Sequence, residues 1–303
     1  MNIKFQLVAI QKILGLSQEE MAKHLGVSFV TLNSWINERS QPHSKTSIAI
    51  YDWYQTVTGE KRISPEEIEK KTKSLLKKAD KVGPFLKLLL SQTDLRDTFA
   101  LSLTYHSNKI EGSTLTENET AVLLFENQTL PNRTLSEQLE AKNHQTAFDW
   151  LLQSLEKGEP VDENFILRLH TILMNGIRND AGSYRNHGVR IVGTHVPTAN
   201  PLKVPALMET LALSIKNTKS LNFIELAEIH ASFEKIHPFS DGNGRVGRLI
   251  LHALLLQQGL PPAHIRQEDR RRYFLYLQKA QLDGDPTPLA TFLQEAVEQS
   301  YTL

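Results

Sequence analysis

The chain has 303 residues, of which 40% are hydrophobic and 22% charged, and this is the composition of a globular protein with a sizeable core. Its length predicts two domains, or one large domain with an appendage. Lys and Arg number 34, as do Asp and Glu, so the balance argues against a polyanion-coating protein but leaves room for a local basic face. Cysteine is absent, which excludes disulfides, thiolate catalysis and cysteine-ligated metals.

The sequence shows no targeting or membrane segment. The amino terminus runs directly into an amphipathic pattern without a signal-peptide cleavage site. The most apolar run, residues 249–256, contains His252 and is too short to span a bilayer. We therefore expect a cytoplasmic protein without a membrane partner.

Hydrophobic periodicity predicts an all-α fold. Apolar residues recur at three- and four-residue spacing in nine segments: 5–14, 85–90, 99–103, 148–155, 165–174, 207–215, 223–233, 249–256 and 289–297. Residues 184–201 are the exception, because glycines and prolines surround a short β-branched run there, and they predict a small β-hairpin. Apolar residues become sparse over 56–78. We predict an N-terminal unit at 1–55, a connector at 56–94 and a larger helical domain at 95–303.

The N-terminal unit has the signals of two short helices joined by a turn. Ser17-Gln-Glu-Glu20 is a capping box, Gly26 suits a left-handed helix end, and Ser28 can cap a second helix. Residues 5–55 resemble the helix-turn-helix of Xre- or Cro-type regulators. That resemblance implies that four side chains of the second helix would face DNA bases: Phe29, Val30, Asn33 and Ser34.

Charge leaves the partner of this unit open. Up to Gln55 the chain has five Lys or Arg residues and four Asp or Glu residues. This supplies few phosphate contacts for a monomer, and phosphate neutralisation dominates DNA affinity. DNA binding and protein–protein docking are therefore both candidates, and a homodimer would double the basic contacts.

The most informative stretch is His237-Pro-Phe-Ser-Asp-Gly-Asn-Gly-Arg-Val-Gly-Arg248. Pro238 should end the preceding helix and hold His237 in an extended conformation. Gly242 and Gly244 then allow a tight loop that enters the next helix, where several backbone N–H groups converge on one point. The stretch therefore predicts an anion-binding nest.

Side chains around this nest extend the interpretation to phosphate chemistry. Arg245 and Arg248 are three residues apart, so both guanidinium groups are expected on one side of the first helical turn, where they could grip phosphate. Asp241 offers the hard carboxylate that a magnesium ion bridging phosphates requires. His237 has a pKa suited to accepting a proton near neutrality.

The same stretch resembles the signature of the Fic family, His-x-Phe-x-Asp/Glu-Gly-Asn-Gly-Arg-x-x-Arg, and matches it at every position. The resemblance covers about residues 95–298 and includes Gly182-Ser-Tyr-Arg185 and the segments 272–276 and 283–285. It implies a mainly helical fold and transfer of AMP from Mg²⁺-bound ATP to a hydroxyl of a target protein, which could be the chain itself.

The resemblance also implies a role for each matching residue. His237 would be the base, Asp241 would hold Mg²⁺, and Phe239 would be a buried anchor. The phosphates would be held by Gly242, Asn243, Gly244, Arg245 and Arg248. A flap at about 189–201 would register the target segment by strand pairing through Val189, Arg190, Ile191 and Val192. The adenine pocket would be formed by Tyr273, Phe274 and Gln281.

A second motif, Ser107-Asn-Lys-Ile-Glu-Gly112, resembles the inhibitory motif of the same family. Glu111 follows Ser107 by four residues, so both share one helical face. The resemblance implies an inhibitory helix at about 103–112, in which the Glu111 carboxylate occupies Arg248 and excludes the γ-phosphate from it. Taken alone, the motif would be a helix-terminal Glu followed by a Gly stop.

Three interpretations follow: an autoinhibited protein adenylyltransferase, an enzyme that removes AMP at the same site, and a DNA-binding regulator whose Fic domain senses a nucleotide. The intact His237 argues against the third, because a sensor needs no base. A phosphate-transferring variant departs from the motif near the second arginine, whereas Arg248 is present here.

Overall fold

The structure is a computed structural model, and it describes residues 2–126, 128–191, 194–217 and 222–303. These residues form α-helices and short 3₁₀ turns without a strand, which confirms the predicted all-α class. The helices in chain order are α1 (Ile3–Leu14), α2 (Gln18–Leu25), α3 (Phe29–Ile36), α4 (Ser44–Thr58), α5 (Pro65–Val82), α6 (Phe85–Ser91), α7 (Thr93–Ile110), α8 (Glu117–Phe125), α9 (Leu135–Glu156), α10 (Glu163–Leu173), α11 (Val204–Asn217), α12 (Phe223–Ile236), α13 (Asn243–Gln257), α14 (Arg270–Leu282) and α15 (Thr287–Gln299).

Helices α1 to α4 enclose a small core of their own. Ser17 and Glu20 form the predicted capping box at the start of α2, and Gly26 ends that helix at φ +68°. Ser28 caps α3 by accepting a hydrogen bond from the N–H of Thr31. The core consists of Leu7, Ile10, Met21, Ala22, Leu32, Trp35, Ile50 and Tyr54. The arrangement of α2, a tight turn and α3 confirms the predicted helix-turn-helix.

The larger core is built around α13. Thirteen of the fifteen residues of α13 are buried, including Arg245 and Arg248, and α13 contacts α9, α10 and α12. A charge on such a helix loses its water and must find buried partners. The packing of α13 therefore decides which groups its two arginines can reach.

The predicted β-hairpin is wrong for the described part of residues 184–201, which contains no strand; Val192 and Gly193 lie outside the described residues. Side chains bind the carbonyl groups that a strand ladder would use. The Arg185 guanidinium donates to the carbonyls of His187 and Ala199 (2.7 and 2.6 Å), and the Thr198 hydroxyl donates to that of Val189 (2.8 Å). These contacts stabilise the irregular conformation, whereas an isolated two-stranded hairpin is only marginally stable.

Among the described residues, no helix has both the length and the apolar character needed to cross a membrane.

Candidate active site

His237 stands where α12 ends, and its backbone differs from the prediction. The residue is left-handed (φ +51°, ψ +61°) instead of extended, and its N–H donates to the carbonyl of Phe233 (2.9 Å). A left-handed non-glycine residue costs roughly 1–2 kcal/mol, so its surroundings must compensate. Arg185, from the segment 184–201, does this: its side-chain Nε donates to the His237 carbonyl (2.7 Å) and its backbone N–H to the Pro238 carbonyl (2.9 Å).

The imidazole of His237 is placed to act as a base. Its Nδ1 lies 3.1 Å from the carbonyl oxygen of Glu234, and a carbonyl can only accept, so Nδ1 carries the proton and Nε2 keeps its lone pair. Burial lowers the pKa of His237 below its ordinary value. The ring is therefore neutral at pH 7, with a free basic nitrogen.

Phe239 anchors the loop after His237 in the core, and its side chain is fully buried, as predicted. Its ring stacks on His170, with centroids 3.7 Å apart. The His170 ring in turn accepts the Gly182 N–H at Nδ1 and, through Nε2–H, donates to the Asp241 carbonyl (3.1 Å). Burial lowers the pKa of His170 to about 4, so the neutral ring can make both bonds at once.

Asn243 fastens the loop instead of presenting its side chain to a ligand. Its Oδ1 accepts the Phe239 N–H (2.8 Å) and its Nδ2 donates to the Phe239 carbonyl (2.9 Å). Asn243 was predicted to hold phosphate, but only its backbone N–H is left for that purpose. This amide starts α13, which no side chain of the described residues caps. The sequence predicts an anion nest at the first N–H groups of α13, and uncapped N–H groups at a helix start are of the kind that bind anions.

The two arginines of α13 go to different neighbours, although they were expected to act from one side. Arg245 Nη1 lies 3.0 Å from Glu140 Oε1 on α9, and its Nη2 lies 3.6 Å from Asp241 Oδ1. Arg248 turns towards α7: Nε donates to the Ser107 hydroxyl (2.9 Å), and Nη2 donates to the Ser107 carbonyl (3.0 Å).

Glu111 is a further hydrogen-bond partner of Arg248. Its Oε1 accepts a hydrogen bond of 2.7 Å from Arg248 Nη2, where the arginine is 2% exposed and the glutamate side chain 35% exposed. The carboxylate also lies over the start of α13, since a Cβ at Gly244 would lie 2.2 Å from Glu111 Oε1. Glycine at position 244 thus makes room for the carboxylate. Arg248 Nη1 has no hydrogen-bond partner among the described residues.

A cavity of about 500 Å³ opens beside Glu234, the residue whose carbonyl contacts the His237 ring. Phe274 and Gln281, two of the three predicted adenine contacts, line it together with Glu234 and Ile191 of the predicted flap. Tyr273 lies behind the cavity wall, fully buried, with its hydroxyl 2.7 Å from His230 Nε2.

The other predicted flap residues differ in how exposed they are. Val189 is half-buried and Arg190 is exposed, while Val192 lies outside the described residues.

The predicted DNA contacts on α3 divide into two pairs. Phe29 and Val30 are exposed (46% and 75%). Asn33 instead donates to Gln18 Oε1 (3.0 Å), and the Ser34 hydroxyl pairs with that of Ser40 (2.8 Å). Asn33 and Ser34 are thus held by side-chain hydrogen bonds within the unit, whereas Phe29 and Val30 are exposed.

Some residues that shape the site were not predicted from the sequence. His170, Glu140 and Glu234 contact the segment 237–248 from other helices. Burial raises the pKa of Glu234 to about 8, so this carboxyl is largely protonated at neutral pH. Arg185 had a signal, because Gly182-Ser-Tyr-Arg185 stood in the resemblance, but its role at the His237 carbonyl became visible only in three dimensions.

Comparison with known proteins identifies the class of both parts. The profile of the Fic/DOC family matches residues 160–255, which include the whole 237–248 segment, and a helix-turn-helix profile matches residues 12–50. The chain therefore contains a Fic/DOC domain behind an N-terminal helix-turn-helix domain.

Individual relatives agree with this class. The protein adenylyltransferase Fic of Nematostella vectensis is 34% identical over 201 residues, which are 65% of this chain and 46% of that protein. The chain thus spans less than half the length of this curated relative. Among solved structures, a Fic domain-containing signaling protein from Bacteroides thetaiotaomicron superposes with a TM-score of 0.66 at 26% identity, covering 78% of this chain and 95% of that one. A Fic family protein from Desulfovibrio desulfuricans superposes with a TM-score of 0.65 at 25% identity, covering 79% and 74%.

Proposed function

We propose that this protein is a protein adenylyltransferase, which transfers AMP from ATP to a hydroxyl of a target protein, and that Glu111 restrains it. The observation that carries this proposal is the ion pair between Glu111 and Arg248 above the amino terminus of α13. The ion pair supports the proposal because the family resemblance assigns phosphate binding to Arg248, and the Glu111 carboxylate is an anion in contact with that arginine. The name of the Nematostella relative supports the reaction class.

The chain's own residues supply a base and an anion site. His237 Nε2 takes the proton of the target hydroxyl, and the hydroxyl oxygen bonds to the α-phosphorus as the bond to pyrophosphate breaks. The N–H groups at the start of α13, together with the α13 dipole, neutralise the phosphate charge. A reaction of this type needs positioning and charge neutralisation more than covalent help from the protein.

Asp241 fits a Mg²⁺ ligand by its chemistry. Its side chain is 52% exposed at the mouth of the nest, and its charged neighbour Arg245 is 3.6 Å away. Mg²⁺ is commonly bound by one or two carboxylates together with substrate phosphates and water, which agrees with the finding that no cluster of three His, Asp or Glu ligands occurs in the described ranges. The ion would neutralise phosphate charge. Chelation of divalent cations should stop transfer, and full activity in chelator would contradict this role.

Glu111 restrains the site by competition. The γ-phosphate of ATP and the Glu111 carboxylate are both anions that suit the Arg248 fork. While Glu111 holds Nη2, ATP can bind only with its phosphates displaced from the position that aligns the α-phosphorus with His237. Because both groups belong to one chain, no separate inhibitor is required.

ATP labelled at the α-phosphate tests the proposal. Wild type, Glu111→Gly and Glu111→Gly/His237→Ala are incubated with it, alone and with cell lysate. Coupling between two groups is typically about 1–3 kcal/mol, so Glu111→Gly should label itself or a target roughly 5–150-fold faster than wild type. The double variant should be silent. Equal labelling by wild type and Glu111→Gly would contradict restraint, and no labelling by any variant would contradict the transfer activity.

AMP removal is a second candidate at the same site. It is favoured by the partial exposure of the Glu111 carboxylate, which could position a water molecule for attack on an AMP-modified protein. In that case Glu111→Gly should lose removal while gaining transfer. A Glu111→Gly variant that still removes AMP at the wild-type rate would contradict this role.

For the N-terminal domain we propose DNA binding through the exposed start of α3, where Phe29 and Val30 are free to meet base edges. Asn33 is already paired with Gln18, so it can read a base only after leaving that contact. A gel-shift assay with the protein's own promoter region should show a complex that weakens steeply with salt. No complex at low salt would favour protein docking.

A further inference from the structure

The cavity beside Glu234 has a wall from the helix-turn-helix domain. Ala9, Lys12 and Ile13 of α1 face it across from Phe274 and Gln281 of α14. Its volume of about 500 Å³ lies within the usual range for sites that bind small organic ligands. The first helix of one domain thus encloses a cavity whose other residues belong to the Fic side of the chain.

Several contacts hold α1 and its neighbours in this place. The Arg271 guanidinium, which also lines the cavity, donates to the Lys12 carbonyl, and the Tyr276 hydroxyl donates to the Thr56 carbonyl (2.7 Å). Gly59 approaches the Tyr276 ring so closely that an added Cβ would lie 3.0 Å from it. The cavity therefore depends on the docking of the N-terminal domain against α14.

We propose that α1 is the cover of the nucleobase site, so that ATP binding and docking of the helix-turn-helix domain stabilise each other. This inference rests on the proposed transfer function. Ala9 and Ile13 would cover the apolar face of the base opposite Phe274, and Lys12 would place a cation at the rim. ATP binding and docking of the helix-turn-helix domain would both use α1, so the two equilibria are linked. By reciprocity, each would strengthen the other by the same factor. A partner that binds α3 and displaces α1 would then change the affinity of the protein for ATP.

A shared side chain connects this cavity with the restraint. Arg270, another lining residue, donates from Nε to the carbonyl of Ile110 (2.7 Å), directly before Glu111, and its guanidinium lies 5.0 Å from the centre of the Phe274 ring. A base that contacts Phe274 would therefore also meet the side chain that holds the end of α7. Arg270 thus links the base site to the backbone of the residue that precedes Glu111.

Filling the cavity from the α1 side tests the inference. Ile13 is half-buried, while the core of the N-terminal domain is built from other side chains, so Ile13→Trp should fold and place its ring in the base site. Val8→Trp adds the same ring to an exposed position (44%) of the same helix and is the matched control. Both are made in the 303-residue Glu111→Gly chain, and ATP affinity is measured by calorimetry.

We expect Ile13→Trp to weaken ATP binding by roughly tenfold or more, an effect of the size of one well-placed contact, and Val8→Trp to leave it unchanged. Inorganic tripolyphosphate, which has no base, should bind both variants like their parent. Ile13→Ala, which adds no bulk, should weaken ATP by a few-fold through loss of the cover. Thermal melting confirms that each variant is folded.

Three outcomes overturn the inference. Equal ATP affinity of Ile13→Trp and its parent would show that the base does not lie under α1, and transfer of labelled AMP by the same preparations would show that the proposed function still stands. Equal loss of ATP and tripolyphosphate affinity would show that the ring acts on the phosphate site. If the parent neither binds ATP nor transfers AMP, the proposed function fails and the inference fails with it.

Discussion

The two ends of the 237–248 segment are held in different ways. At His237 each restraint involves a backbone group: its N–H bonds to the Phe233 carbonyl, its own carbonyl accepts from the Arg185 side chain, and its ring contacts the Glu234 carbonyl. At Arg248 the restraints come from another helix, and two of them are the side chains of Ser107 and Glu111. We therefore expect the first end to stay in place as long as the fold does, and the second to be able to exchange its side-chain partners. In the proposed function, the fixed end performs the chemistry and the exchangeable end controls it.

Removing the ring at the fixed end should have the largest effect. In the Glu111→Gly background, His237→Ala should lower AMP transfer about 100- to 10,000-fold, because a positioned base is lost. ATP affinity should stay within a few-fold, since the ring acts on the incoming hydroxyl. Single-turnover labelling and calorimetry measure the two quantities. Residual transfer above a hundredth of the parent rate would place the base elsewhere.

Removing a hydrogen bond from Arg248, at the exchangeable end, should change AMP transfer less than removing the His237 ring. Ser107→Ala removes the acceptor of Arg248 Nε and leaves a buried donor unpaired, which should lower the free energy of unfolding by about 1–3 kcal/mol. AMP labelling should rise, but less than in Glu111→Gly, because the carboxylate remains.

Ser102→Ala is the matched control for this variant. Ser102 is a buried serine of the same helix whose hydroxyl pairs with His264 (2.8 Å). We expect a similar loss of stability and unchanged labelling. Faster labelling in Ser102→Ala would mean that general loosening of α7, and not the contact with Arg248, relieves the restraint.

The sequence was sufficient where a pattern acts locally. The capping box at Ser17 and the left-handed end at Gly26 formed as predicted, because each depends on a few neighbouring residues. The contact between Glu111 and Arg248 was also predicted, although 137 positions separate the two residues. In that case the family resemblance supplied the long-range information that spacing alone cannot give.

Predictions failed where a distant side chain changed the outcome. Pro238 predicts an extended conformation for the residue before it, whereas His237 is left-handed and Arg185, from a distant segment, binds its carbonyl in that conformation. In the segment predicted as a hairpin, the same arginine donates hydrogen bonds to the carbonyls of His187 and Ala199. The partners of Arg245 and Asn243 depend on how α9 and Phe239 pack against α13, and no local pattern records that packing.

The smallest expected effect is on the pH dependence of AMP transfer, which depends on His237 at the fixed end. An unperturbed histidine with a pKa near 6.5 would be half protonated at pH 6.5 and would lose about half of its activity as a base. Burial lowers the pKa of His237, so the basic form should persist below that point, and kcat/KM of Glu111→Gly should fall less than twofold between pH 8 and pH 6.5. Glu234, with its raised pKa of about 8, titrates in the same range, and Glu234→Gln separates the two groups. If the profile of Glu234→Gln still loses half of its activity by pH 6.5, the imidazole is not shielded as its burial implies.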